Sequence, residues 1–212
     1  MNQHRTWSQA CITGAVTSWL THYVGQPEPE LGRDGNVCPF VRPALDVEMV
    51  ELRVVRGEDC TDADRLHDLA IKAMDGFLAG AGAEDSPMST LAALLLVLPE
   101  ASAEGWTLLD RVLPRLKDAA VARCLMVSQF HPACDVRSVR NSRFLVAQAP
   151  MAILAIRRMA KHDVLFLHER ADWYAVYQSQ FGWGAEAQGG ASDLLMHEVR
   201  QQARERFGSA DR

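Results

Sequence analysis

Long apolar runs, paired cysteines and basic stretches are all missing from this 212-residue chain. No segment approaches the roughly 20 apolar residues of a spanning helix, and the N-terminus has no basic-then-apolar leader pattern, which together predict a cytoplasmic protein. The five cysteines (Cys11, Cys38, Cys60, Cys124 and Cys134) are odd in number and scattered, with no C-x-x-C spacing. They read as reduced thiols rather than a disulfide framework or a zinc set. Lys and Arg total 22 against 27 Asp and Glu, a net charge of −5, and no helix is rich in Lys or Arg, so nucleic acid is not an expected partner. Walker, G-x-G-x-x-G, H-E-x-x-H and G-x-S-x-G motifs are all absent. What is present is an ordinary globular composition, 48% apolar and 23% charged. That suffices for one substantial core over residues 1–212 rather than two full domains.

Periodicity predicts the elements. Trp7, Cys11, Ala15, Trp19 and Tyr23 recur at near-helical spacing and predict a helix over about 6–24. The Pro- and Gly-rich segment 26–43 is a long irregular crossing, a length that raises the chance of function. Val50, Leu52 and Val54 alternate with polar neighbours as a strand, and Thr61, Asp62 and Asp64 open a helix striped by Leu66, Leu69, Ala73 and Phe77. The apolar run 91–98, between Pro87 and Pro99, favours a buried strand. Ser102 with Glu104 begins a helix burying Trp106, Leu109, Leu113 and Leu116, which Pro114 should kink or end early. Further strands are expected to end at Phe130 and to cover 151–156. Asp163 is expected to cap a helix with Phe166, Trp173, Tyr177 and Phe181 on one face. Ser192 and Asp193 should cap a last helix through Phe207, with 208–212 frayed. The fold class is therefore α+β: a small, largely antiparallel sheet of about four strands with helices packed against it.

Three places could carry chemistry. The strand ending at Phe130 stops at His131-Pro132, where proline offers no N–H to a neighbouring strand and fixes the chain's exit. A histidine so held can be aimed, and Arg137 and Arg140 beyond it can grip an anion such as a carboxylate, a phosphate or a haem propionate. A polar surface loop explains the same residues equally well. Second, Cys38-Pro39-Phe40, between Arg33 and Arg42, could supply a thiolate or line a cofactor pocket, although a small buried hydrophobe is the commoner use of such a cysteine. Third, Lys161-His162-Asp163 reads first as a helix cap. The aromatic face of Trp173, Tyr174, Tyr177 and Phe181 reads as core that could wall a flat cofactor. Gly-rich pieces at 76–82 and 182–190 read as helix-end loops.

Cys38-Pro-Phe, then strand and helix, then Phe130-His-Pro followed by Arg137-Ser and Arg140-Asn-Ser142, resembles in order the YqcI/YcgG-type bacterial haem proteins over roughly residues 32–181. The resemblance implies non-covalent haem b with His131 as axial iron ligand, Arg137 and Arg140 on the propionates, and Cys38 and Phe40 lining the pocket. Members include haem-dependent monooxygenases that N-hydroxylate guanidino groups, L-arginine to Nω-hydroxy-L-arginine in D-cycloserine-type antibiotic biosynthesis. By that resemblance the partners would be a small guanidino substrate and an electron donor or peroxide, with a homodimer allowed. A cationic substrate would need a carboxylate, for which Asp135 and Asp163 are the candidates. The loop departs from the family pattern at Cys134, Asp135 and Val136. The alternative is a non-catalytic haem-binding or gas-sensing protein.

Overall fold

The computed structural model describes residues 7–57, 60, 62–83, 88–182 and 191–207, with the side chains of 191–193 outside that description. Helix α1 (Gln9–Trp19) continues into a wider π turn, Leu20–Val24. After a short 3-10 turn at Pro29–Leu31 come α2 (Val41–Asp46), β1 (Val50–Val54), α3 (Ala63–Ala79), β2 (Ala93–Leu98), α4 (Ala103–Val121), β3 (Leu125–Phe130) and β4 (Ala152–Arg158). The chain closes with α5 (Val164–Leu167), α6 (Ala171–Phe181) and α7 (Ala191–Phe207).

The fold is α+β, with one four-stranded sheet in the order β1-β2-β4-β3. β1 and β2 pair in parallel, whereas β4 is antiparallel to both β2 and β3, so the sheet is mixed. The parallel pair follows from α3 as the crossover, since parallel neighbours need a long connection. Side chains alternate across the sheet. Leu94, Leu96, Leu98, Leu125, Val127, Leu154 and Ile156 meet α3 and α4 on one face. Leu95, Val97 and Ile153 meet Ile12, Val16 and Leu20 of α1 and its π turn on the other. A third cluster joins α5, α6 and α7 to Val121 and Met126.

Three expectations are corrected. Pro114 lies inside α4, which runs on to Val121, so the proline does not end the helix early. The proline is on the solvent side, while Val112, Leu116 and Ala120 stay buried and hold the helix together across it. The single helix after Asp163 is two, α5 and α6, separated at His168–Arg170, and Phe166 is exposed rather than on a buried face. The crossing at 26–43 holds the 3-10 turn and the start of α2. Asp62 caps α3, accepting from the N–H groups of Asp64 and Arg65 at 3.0 and 2.9 Å. Thr61, Pro87, residues 183–190 and 208–212, and the side chains of Ser192 and Asp193 lie outside the described residues.

Gly82 closes the end of α3. Its N–H donates to the Phe77 carbonyl at 2.9 Å and its carbonyl accepts from Arg158 Nε at 2.6 Å. A Cβ here would overlap the buried Phe77 ring. Gly82→Ala is therefore expected to destabilise the protein by about 1–3 kcal/mol, the usual cost of overpacking, read as a lower midpoint in urea unfolding.

Candidate functional site

Positions 125, 127, 129 and 131 share one side of the extended chain, the side facing α4. The first two are Leu and Val; the last two are polar, yet Gln129 and His131 are buried, at 7% and 3% exposure. A polar pair continuing an apolar stripe must find partners or leave orphaned groups at a cost of about 1–3 kcal/mol each. Asp110 of α4 is that partner. Its Oδ1 accepts from Gln129 Nε2 at 2.8 Å and lies 3.1 Å from His131 Nε2. Trp106, one helical turn earlier, stacks on the His131 ring, with centroids 5.7 Å apart and planes 17° from parallel.

The cluster is incompletely satisfied. Gln129 Oε1, His131 Nδ1 and Trp106 Nε1 are buried with no hydrogen-bond partner among the described residues. Asp110, 46% exposed, opens the cluster to solvent. With His131 Nε2 donating to that carboxylate, a neutral imidazole keeps its remaining acceptor at Nδ1. Three residues on from His131, burial pushes the Cys134 thiol above its ordinary pKa. Backbone N–H groups of Val136 and His131 work against the shift, and the charges of Asp110 and Asp135 add to it. Cys134 is therefore a neutral thiol at pH 7, not a nucleophile paired with His131.

The other predicted residues lie elsewhere. Asp163 is 1% exposed and accepts both arms of Arg157, at 2.7 and 2.6 Å, and the Ala160 N–H at 2.7 Å. Burial works against the Arg157 charge, but Asp163 outweighs it and holds the guanidinium above its ordinary pKa. Phe40 covers that guanidinium with its ring centroid at 5.1 Å and meets His162 edge-on. Cys38 lies close enough to act on both that guanidinium and Arg33, whose pKa is lowered by burial and by the like charge of Arg140, partly offset by Cys38. Arg33 donates to the carbonyls of Asp34, Asn36 and Val37 and so fixes its own loop. Arg140 crosses over Gly32, whose φ of +82° needs glycine. Arg137 is exposed and donates to Ser142 O at 2.6 Å. Asp135 is exposed near Cys134.

The structure thus gathers Cys38, Phe40 and Asp163 around Arg157, on the sheet face away from α4 and at the far end of β4 from His131, and sets Arg140 beside Arg33. His131, Asp135 and Arg137 belong to the head of β3. These residues do not line one haem slot. A porphyrin iron needs the nitrogen at the tip of the imidazole, and on His131 Asp110 holds that atom. Nδ1 sits beside Cβ, where a flat macrocycle would run into the residue's own backbone. The set does not fit haem, and no step through it follows.

Trp106, Asp110 and Gln129 were not singled out as site residues from the sequence, although Trp106 was placed on the buried face of its helix. The signal for Gln129 is the parity of the 125–131 run; for Asp110 it is an acid one turn after Trp106 beside that face. Residues 13–191 match a family model described as a domain of unknown function (DUF6875). No curated protein and no solved structure matches the chain.

Proposed function

The chain belongs to that family, whose description assigns no chemistry, and from its own residues we propose that it binds a small guanidinium-type cation at Asp110, Gln129 and His131. One observation carries the reading: beside a half-exposed carboxylate stand two buried polar atoms, Gln129 Oε1 and His131 Nδ1, with no partner among the described residues, and both are acceptors when the His131 ring is neutral. A guanidinium is planar, carries five N–H donors and accepts nothing, so it complements an acceptor-rich site. Asp110 takes the part that sequence reasoning gave to Asp135 or Asp163. Asp163 is already saturated by Arg157, and Asp135 is exposed beside Cys134. The guanidino ligand agrees with the substrate class implied by the sequence resemblance; the oxidative step is not carried over, because the haem set does not fit.

Calorimetric titration with L-arginine and agmatine, against the neutral ureido analogue L-citrulline, tests this. The two guanidinium compounds should bind and citrulline should not. Asp110→Asn, which keeps the shape and removes the charge, should weaken binding about 10- to 100-fold, the worth of one charge-assisted hydrogen bond. Equal affinity in Asp110→Asn, or no guanidino compound binding at all, defeats the proposal. A Soret band on adding hemin that disappears in His131→Ala would put haem in its place.

A further inference from the structure

β1 is an edge strand, paired only with β2 among the described residues. The Met49 carbonyl and Val55 N–H both bond towards β2. By alternation Glu51 and Arg53 also turn their backbone groups inward, and Val50, Leu52 and Val54 turn theirs out to the free edge. The side chains divide as cleanly. Val50, Leu52 and Val54 are half-buried on the α1 face, and Glu51 and Arg53 are exposed on the α3 face. A 550 Å³ cleft beside Arg53–Val55 and α3 leaves space next to this edge.

The sequence Val50-Glu51-Leu52-Arg53-Val54 is self-complementary under reversal. We propose that two copies of the chain pair antiparallel through β1 about a two-fold axis at Leu52, forming one eight-stranded sheet. In that register Val50 meets Val54 of the partner subunit and Leu52 meets Leu52 of the partner subunit. All three are hydrogen-bonded pairs, because these are the residues whose backbone groups point outward. Glu51 then faces Arg53 of the partner subunit in the non-hydrogen-bonded position, where opposed side chains are closest and opposite charges help. Sliding by one pair in either direction sets Glu51 against itself or Arg53 against itself. The charges therefore select one register and discourage indiscriminate edge pairing. The 2.7 Å contact between Arg53 and Glu51 within one chain is exposed and contributes little, so both side chains are free to exchange partners.

Analytical ultracentrifugation of the full chain tests the pairing. The wild type should shift from monomer to dimer with rising concentration. Arg53→Glu and Glu51→Arg should each weaken self-association at least about tenfold by opposing like charges, with circular dichroism unchanged. Mixing these two variants should restore a dimer, as should the double exchange E51R/R53E. A wild type that stays monomeric at every concentration, an Arg53→Glu protein that dimerises as before, or a mixture that fails to associate would each overturn the proposal.

Discussion

Replacing Asp163 with alanine is expected to lower the unfolding free energy by about 3–5 kcal/mol, the range seen when one member of a buried ion pair is removed. The carboxylate is 1% exposed and holds three short bonds, two from Arg157 and one from the Ala160 N–H. Among the described residues, alanine leaves the guanidinium with the Arg158 carbonyl and the Phe40 ring, and takes away the acceptor of the N–H that begins the 161–163 turn. That turn joins β4 to α5, so the docking of α5 against α6 and α7 should loosen with it. Asp163→Asn keeps an acceptor for Ala160 and should fall between alanine and wild type. Urea unfolding with an unchanged slope is the measurement. A loss under about 1 kcal/mol, the worth of an exposed pair, would show that the interaction is solvated and that Arg157 does not depend on it.

How far the chain could be read without coordinates depended on whether a signal was local. Elements with a strong period, the stripes of α3 and α4 and the alternation of β1, were legible because burial of one face dictates the spacing of apolar residues. The continuation of α4 past Pro114 was not, because the buried residues on either side hold the helix through tertiary contacts. The role of Asp163 was misread for a related reason. A carboxylate before an apolar run signals a cap, and nothing local reveals that Arg157, six residues earlier, takes both of its oxygens. For the site, sequence singled out His131 at a strand end, which is where the structure buries it. Its partner Asp110 is 21 positions away on α4, and only the packing of α4 on β3 brings them together. Cys38 and His131 looked like parts of one motif because of their order along the chain; strand alternation puts them on opposite faces.

A cluster kept for a ligand should cost the unliganded protein stability, and that cost can be measured. Asp110→Leu, Gln129→Met and His131→Phe together replace the polar group with side chains of similar reach and preserve an aromatic ring against Trp106. The triple variant removes two of the buried unpartnered atoms and the carboxylate beside them. Exchanging an imperfectly satisfied polar cluster for packed apolar groups is commonly neutral or stabilising by about 1–4 kcal/mol. The expected result is a gain in that range with guanidinium binding abolished, the trade of stability against function that binding sites show. Single truncations should behave oppositely. Asp110→Ala alone orphans the Gln129 amide and His131 Nε2 as well, and should destabilise by about 1–3 kcal/mol. A triple variant less stable than wild type would mean that the cluster serves the packing of α4 on β3, with internal water satisfying Gln129 Oε1 and His131 Nδ1, and the ligand assignment would fall with it.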